Sequence, residues 1–346
     1  MKILTCHLQL AHLQTQIMVW IQFLLSAAVV VYAAIKLAEY GDIIAVRTKL
    51  VGLLGGTIFL AGATSLPELI ASISAFQAGF PNLAAGNFFG SNMVNMMLLA
   101  LVDLINYQVP LLRRIAISHA LTAALTTILM LVAIISILDE VDLKIGWVGL
   151  DSLVIIGLYF GGIWLIQREN KGPGEPAPAA EPASDFPSLR AGLIGFSIAA
   201  VILIAVVPIL VSASTEIAEI TGLGTGFVGT ALLSLVTSLP ELLAALAAVR
   251  MNAFDMAVGN LLGSSVFNML GLGVADFFYL DGRFLGAIDQ NFVLVGLLGL
   301  LLTNMALVGN LARVERKFLF IELDTIATIV VYLLGMYLLY IRGIGT

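Results

Sequence analysis

Apolar stretches of 18 or more residues recur along the whole chain, and they constrain its fold more than any other feature. Each stretch is long enough to cross the roughly 30 Å hydrocarbon core of a bilayer as a helix. Charged residues make up only 11% of the sequence, whereas a soluble domain carries about 25%. The composition therefore excludes a soluble enzyme, a nucleic-acid-binding protein and a disordered chain. It predicts an all-α polytopic membrane protein.

These stretches predict ten transmembrane helices joined mostly by short connections. The predicted spans are 18–40, 50–78, 82–107, 114–137, 145–167, 191–213, 225–249, 254–279, 289–309 and 318–341. Residues 168–189 differ from every other connection because they are rich in Pro and Ala and carry several charges. Such a composition is typical of a flexible linker.

Two parts of the chain match without a gap at an offset of 173 residues. The hexapeptide TSLPEL occurs at 64–69 and again at 237–242, and 20 of 48 positions are identical between 56–103 and 229–276. A shared apolar composition alone would not place Pro, Glu and Asn in the same register. We therefore divide the chain into an N-terminal tail (1–17), a first five-helix repeat (18–167), the linker (168–189) and a second five-helix repeat (190–346).

An odd number of spans in each repeat predicts that the second repeat is inverted relative to the first. Inverted repeats build transporters whose substrate site lies near the middle of the membrane, where interrupted helices meet. Twelve of the lysines and arginines lie on one set of alternating loops, and the other four lie on the opposite set. By the positive-inside rule, this bias predicts an integral plasma (inner) membrane protein with both termini outside and the 168–189 linker in the cytoplasm.

Glu68 and Glu241 are the only carboxylates deep inside the apolar spans, and they match by the repeat. A charge at this depth is costly and usually functional. Pro67 and Pro240 directly precede them, and proline has no N–H to donate. The carbonyl four residues before each proline is therefore expected to be free to line a cavity. A plain helix kink is the structural alternative.

Further oxygen-bearing side chains lie one helical turn apart, so that they share a helix face. The pairs are Thr64 with Glu68, Thr237 with Glu241, Ser91 with Asn95, and Ser264 with Asn268. A single Ser or Thr in a membrane helix usually bonds its own backbone, which is the structural alternative. Together these oxygens would supply the six to eight ligands that Ca²⁺ prefers, without nitrogen or sulfur.

TSLPEL in both repeats, with GNFFGSNMVN (86–95) and GNLLGSSVFN (259–268), resembles the two alpha repeats of the cation/calcium exchanger superfamily, in particular its prokaryotic sodium/calcium exchangers. The resemblance covers the whole ten-helix layout. It implies an antiporter of Na⁺ and Ca²⁺, not an enzyme, with no cofactor beyond the transported ions. It also implies ion-binding side chains at Thr64, Ser65, Glu68, Ser91, Asn95, Thr237, Ser238, Glu241, Ser264 and Asn268, and backbone carbonyl ligands at Ala61 and Ser234.

Two departures from the family pattern bear on the coupling ion. Potassium-dependent relatives carry Asp where Asn268 stands, so the asparagine favours potassium independence. Proton-coupled relatives often have His after the glutamate, whereas Leu69 and Leu242 follow it here. A proton-coupled exchanger of Ca²⁺ or another divalent cation remains the alternative, and a non-exchanging channel or receptor is a third. Apart from the ions and the lipid bilayer the sequence predicts no partner, and it leaves stoichiometry and oligomeric state open.

Four aspartates also match by the repeat. Asp103 and Asp276 end their predicted helices, where structural anchoring is the favoured role and lining of an ion exit the alternative. Asp151 and Asp324 lie near helix starts, where a carboxylate can accept hydrogen bonds from free N–H groups. We expect these two to be interfacial caps.

Overall fold

The computed structural model describes residues 2–48, 61–106, 117–139, 142–169, 187–312, 317–318 and 321–345. Apart from two short hairpins, the regular structure in these ranges is helical. Eight of the helices within them are long and apolar enough to cross a membrane, and a shorter apolar helix covers Phe292–Val308. The chain is therefore an all-α, multi-pass membrane protein, as the sequence predicts.

The helices are numbered in chain order. The first half contains α1 (Lys2–Thr48), α2 (Leu66–Gln77), α3 (Pro81–Ile105), α4 (Ile117–Leu138) and α5 (Leu150–Glu169). The second half contains α6 (Leu189–Thr221), α7 (Thr225–Val228), α8 (Ser234–Thr237), α9 (Leu239–Arg250), α10 (Phe254–Ala275), α11 (Phe284–Ala287), α12 (Phe292–Ala312) and α13 (Leu323–Arg342). A π-helical turn (Gly229–Leu233) joins α7 to α8, and a 3₁₀ turn (Asp276–Phe278) follows α10. The hairpins pair β1 (Lys144–Ile145) with β2 (Val148–Gly149), and β3 (Lys317–Phe318) with β4 (Ile321–Glu322).

The ends of these elements recur at the sequence offset of 173 residues. Both ends of α2 match both ends of α9, and both ends of the hairpin β1–β2 match those of β3–β4. The start of α5 at Leu150 matches the start of α13 at Leu323. Few residues outside the motifs are identical, so the repeat extends to the places where the backbone breaks and turns.

Helices α3 and α10 form the centre of the molecule and pack against each other. In their most apolar windows 78% and 67% of the positions are buried, against 17% in α5 and 28% in α6 and α13. Exposed side chains on the outer helices include Leu24, Ile204 and Leu334, as expected for surfaces that face lipid. Helices α3 and α10, which carry the candidate ligands Ser91, Asn95, Ser264 and Asn268, are therefore the most buried of the spanning helices.

Two helices are longer than the sequence predicts. Helix α1 begins at Lys2 rather than near residue 18, so residues 2–17 continue the helix. Residues 2–17 contain no Pro or Gly that would end the helix. The prediction began the helix too late because it relied on hydropathy, which identifies the apolar part of a helix and not its ends. Helix α6 continues past the predicted end at residue 213 to Thr221, where Gly222 adopts a left-handed conformation with φ 70° and terminates it.

Two predicted single spans are interrupted. The described part of span 50–78 consists of helical residues 61–64, a break at Ser65 and then α2. Span 225–249 consists of α7, the π-helical turn, α8, a break at Ser238 and then α9. Residues 49–60 of the former, and residues 170–186 of the linker, lie outside the described part of the chain.

Candidate cation-binding site

Both TSLPEL segments interrupt a helix at their serine. Ser65 has φ −90° and ψ 6°, and Ser238 has φ −89° and ψ 3°, so the two breaks have the same geometry. Pro67 and Pro240 then occupy the first turn of the next helix, the position at which the missing N–H of proline costs nothing. The motif therefore produces a broken helix rather than a plain kink.

The predicted backbone ligands, Ala61 and Ser234, are not free in this conformation. Each carbonyl accepts the N–H four residues on at 3.0 Å, and the hydroxyl of the threonine three residues on lies 3.1 and 3.3 Å away respectively. A threonine hydroxyl has a single proton to donate, and that of Thr237 also lies 3.1 Å from Oδ1 of Asn87. The backbone bond therefore occupies one lone pair of each carbonyl oxygen. The carbonyl of Val236, expected to be free because Pro240 follows, has the N–H of Ser238 near it, and that N–H donates to the carbonyl of Ser234 at 3.0 Å. The expectation that the Val236 carbonyl is free stays a prediction.

The two glutamates are held across the repeats. Glu68 is 1% exposed and Glu241 is 0% exposed. The hydroxyl of Ser238 donates to Oε1 of Glu68, and the hydroxyl of Ser65 donates to Oε1 of Glu241, both at 3.2 Å. Each break therefore supplies a hydrogen bond to the carboxylate of the other repeat, and the two motifs meet at one place.

Five predicted ligands each keep a buried oxygen without a hydrogen-bond partner. These oxygens are Oε2 of Glu68, Oε2 of Glu241, Oγ of Ser91, Oδ1 of Asn95 and Oδ1 of Asn268. An unsatisfied buried polar group costs about 1–3 kcal/mol, and more if it is charged. These unpaired oxygens belong to predicted ligands of both repeats, and a cation is the kind of partner that such oxygens accept.

The remaining predicted side chains also link the two repeats. The hydroxyls of Thr64 and Ser264 lie 3.3 Å apart. The hydroxyl of Thr237 donates to Oδ1 of Asn87 at 3.1 Å. Both threonines are also within bonding distance of carbonyls in their own helix, as the structural alternative requires. The structure thus brings predicted ligands from both repeats together.

Four contributors to this network were not predicted as functional. Asn87 donates to the carbonyl of Glu68 at 3.0 Å, and Asn260 donates to the carbonyl of Glu241 at 3.3 Å. Asn95 donates to Ser265 at 3.4 Å, and Asn268 donates to Asn92 at 3.1 Å. The Gly-Asn pairs at 86–87 and 259–260 match by the repeat, which was the available signal. Their role depends on contacts that sequence spacing does not reveal.

Helix α3 approaches the π-helical turn backbone to backbone. A Cβ added at Gly86 would lie 2.6 Å from the carbonyl oxygen of Gly226, and one at Gly90 would lie 2.6 Å from that of Thr230. No larger residue fits at either position without moving the backbone. These two glycines therefore have a packing role, and they bring Ser91 and Asn95 close to the second repeat.

The chemistry of this network suits a hard cation. Its ligand atoms are carboxylate, amide and hydroxyl oxygens, the set that Ca²⁺ prefers over nitrogen or sulfur. Among the described residues no group of three or more His, Cys, Asp or Glu could hold a metal. A bound ion would therefore rely on two carboxylates and a larger number of neutral oxygens.

The four matched aspartates lie outside this network. Oδ1 and Oδ2 of the fully buried Asp276 accept the N–H groups of Phe284 and Gly149, both at 2.7 Å. The hydroxyl of Thr325 donates to Asp103 at 2.5 Å. In the first turns of α5 and α13, Oδ1 of each aspartate accepts the next N–H at 2.9 Å. These contacts are those of anchors and caps.

A sequence model of a protein family, described as sodium/calcium exchanger protein, matches residues 18–166 and 191–342 of this chain. The match covers most of the chain. Among relatives, the putative antiporter CaxA of Alkalimonas amylolytica is 27% identical over 274 residues. That match covers 75% of this chain and 81% of the relative.

Two solved structures resemble the fold. The H⁺/Ca²⁺ exchanger CAX superposes with a TM-score of 0.72 at 17% identity, covering 94% of this chain and 85% of that one. The sodium-calcium exchanger NCX_Mj superposes with a TM-score of 0.57 at 19% identity, covering 93% and 98%. At these identities the likeness concerns the fold and does not distinguish between coupling ions.

Proposed function

This chain belongs to the sodium/calcium exchanger protein family, and we propose that it is a secondary active antiporter exchanging Na⁺ for Ca²⁺ across the membrane. The observation that carries the proposal is the pair of buried glutamates, Glu68 and Glu241. Each is held by a serine of the other repeat and each keeps one carboxylate oxygen unpaired. The name of the relative CaxA, a putative antiporter, agrees with it.

The ions bind one after the other at a single site near the middle of the membrane. Two ionised glutamates give this site a charge of about −2, because its other side-chain ligands are neutral. One Ca²⁺ or two Na⁺ would neutralise that charge, and both species cannot bind comfortably together. Competition for shared oxygens is the property that an exchanger requires, because it prevents the carrier from moving both ions in the same direction.

The full ligand set is the one implied by the family resemblance. Unpaired oxygens support Glu68, Glu241, Ser91, Asn95 and Asn268 as ligands. Contacts between the repeats support the other side chains, which are Thr64, Ser65, Thr237, Ser238 and Ser264. The carbonyls of Ala61 and Ser234 each accept one backbone N–H and would join through the second lone pair of the oxygen.

Alternating access follows from an inverted pair of five-helix repeats, 18–167 and 190–346, with ten spans in all. The common offset of the helix ends and the reciprocal serine–glutamate bonds support this arrangement. In it the 168–189 linker lies in the cytoplasm and both termini lie outside, in agreement with the distribution of lysine and arginine.

Proton coupling is the second candidate, because protonation would neutralise the same two glutamates without Na⁺. Transport by the purified protein in liposomes distinguishes the two. Vesicles loaded with Na⁺ and diluted into Na⁺-free buffer of equal pH should take up radioactive Ca²⁺, and the uptake should disappear when Na⁺ is present on both sides. A proton gradient without Na⁺ should drive little uptake.

Two variants serve as controls for this measurement. Glu68→Gln should abolish uptake, whereas Glu219→Gln, which alters an exposed carboxylate outside the site, should not. Uptake driven only by the proton gradient would mean that H⁺, and not Na⁺, is the coupling ion. Gradient-driven uptake that survives in both Glu68→Gln and Glu241→Gln would contradict the assignment of the site.

A further inference from the structure

The threonines, the serines 91 and 264 and the asparagines 87 and 260 match by the repeat, but they make different hydrogen bonds. Thr237 donates to Oδ1 of Asn87 at 3.1 Å. The equivalent acceptor in the other repeat, Oδ1 of Asn260, is buried and has no partner. Thr64, the counterpart of Thr237, instead lies 3.3 Å from the hydroxyl of Ser264.

The counterpart of Ser264 is Ser91, and its buried hydroxyl has no partner either. The conformation thus contains one threonine–asparagine bond and one threonine–serine bond, both of which lack an equivalent on the other side. An unsatisfied asparagine oxygen and an unsatisfied serine hydroxyl mark the two places where those equivalents would form.

The difference does not arise from the orientation of the asparagines. The amide nitrogens of Asn87 and Asn260 donate to the carbonyls of Glu68 and Glu241, at 3.0 and 3.3 Å. Each asparagine is therefore bonded to the glutamate of its own repeat. Asn87 also donates to the hydroxyl of Ser72 at 3.2 Å, whereas Ala245 stands in that place beside Asn260. The two threonines, which stand in identical hexapeptides, have different partners in the opposite repeat.

An independent asymmetry appears one to three turns further along the broken helices. In α2, Ser74 is 9% exposed and Phe76 is 6% exposed. The ring of Phe76 packs edge-on against Phe284, with centroids 4.3 Å apart. In α9 the counterparts are more open, since Ala247 is exposed and Val249 is half-buried. The end of α2 is therefore more covered than the end of α9, where Ala248 is buried but its neighbours are not.

We propose that Asn87 and Asn260 are positioning residues that hold the two threonines in alternate partnerships, one for each side to which the site opens. In the conformation described, Thr237 bonds Asn87 and Thr64 bonds Ser264. In the opposite conformation Thr64 bonds Asn260 and Thr237 bonds Ser91. Each conformation contains one threonine–asparagine bond and one threonine–serine bond between the repeats. This inference rests on the proposed function for its role in transport.

The exchange also changes the ligands that a cation meets. The hydroxyl of Ser91 is free in the conformation described, and that of Ser264 becomes free in the opposite one. The ion would thus be passed from a hydroxyl of the first repeat to one of the second, while both glutamates stay in place.

A pair of variants at positions that match by the repeat tests the inference, because each variant is the control for the other. Asn87→Ala and Asn260→Ala both remove a bond to a glutamate carbonyl, but only Asn87→Ala removes a threonine bond of the conformation described. Asn87→Ala also removes the bond to Ser72, so Ser72→Ala, which leaves the threonine bond in place, is its control. We expect Asn87→Ala to shift the population towards the opposite conformation and Asn260→Ala to shift it away. Each shift should be about two- to tenfold, the effect of one neutral hydrogen bond.

Hydrogen–deuterium exchange measures this shift without requiring transport. Asn87→Ala should raise the exchange of α2 relative to α9, and Asn260→Ala should lower it. In oriented vesicles that transport Ca²⁺, the half-saturating Ca²⁺ concentration should move in opposite directions on the two sides, because apparent affinity follows the competent fraction. A merely structural role would move both variants in the same direction.

A second pair covers the case in which the asparagine variants do not fold. Ser264→Ala should act like Asn87→Ala, and Ser91→Ala should act like Asn260→Ala. Opposite shifts within either pair support the inference, and parallel shifts or none in a folded pair overturn it. Opposite exchange shifts in a protein without gradient-driven Ca²⁺ uptake would refute the proposed function but retain the hydroxyl exchange.

Discussion

Replacing Glu68 with glutamine exchanges one carboxylate oxygen for an amide nitrogen and removes one negative charge from a side chain that is 1% exposed. Oε1 of the new side chain can still accept the hydroxyl of Ser238, so the packing is preserved. The NH₂ group then occupies the place of Oε2, which has no partner in the structure. A cation there would meet a donor instead of a charged oxygen.

The size of the effect follows from the burial of the site. Removing one member of a buried, compensated set of charges costs about 3–5 kcal/mol, because solvent cannot replace the lost partner. A tenfold change in dissociation constant corresponds to about 1.4 kcal/mol. Glu68→Gln should therefore weaken Ca²⁺ binding by roughly two to three and a half orders of magnitude. The equivalent Glu241→Gln should have a similar effect, because its contacts are reciprocal.

Calorimetric titration of the purified protein with Ca²⁺ measures this change directly. Thermal unfolding without Ca²⁺ is the folding control, and neither variant should unfold at a lower temperature than the wild type, because each loses a buried charge. Glu219→Gln, on the exposed surface, should bind Ca²⁺ as the wild type does. If both site variants bound Ca²⁺ within threefold of the wild type, the two carboxylates would not be ligands.

Two further predictions concern stability and use thermal unfolding in detergent. Gly90→Ala should destabilise the protein by about 1–3 kcal/mol through overpacking against Thr230, whereas Gly157→Ala, whose Cβ would meet no atom within 4 Å, should not; equal effects would argue against the close approach. Asp276→Ala should cost about 3 kcal/mol or more, since two buried N–H groups lose a charged acceptor. Asp276→Asn, which keeps one acceptor oxygen, should cost less, and an equal loss would mean that the two bonds do not act as the anchor.

The membrane class and the candidate ligands were predictable because polar residues are conspicuous in apolar spans. Glu68 and Glu241 stand out by their cost at that depth, and the offset of the repeat relates them to each other. The bounds of α1 and α6 were less predictable. A helix ends where the backbone meets a residue such as Gly222, and hydropathy does not register that position.

The partners of the ligands were not predictable from spacing. Asn87 donates to the carbonyl of Glu68 in its own repeat. It also accepts a hydrogen bond from Thr237 of the other repeat, 150 residues away along the chain. The asymmetry was also hidden. Thr64 and Thr237 stand in identical hexapeptides, and the sequence of these hexapeptides does not indicate that only one of the two threonines bonds an asparagine.

The reciprocal bonds from Ser65 to Glu241 and from Ser238 to Glu68 have a consequence for how such a chain can change over generations. Neither copy of TSLPEL makes its own site, because each serine acts on the glutamate of the other copy. A substitution in one copy is therefore a defect of both, and the two copies cannot drift apart. The two hexapeptides are still identical, whereas residues 76–83 share no position with 249–256.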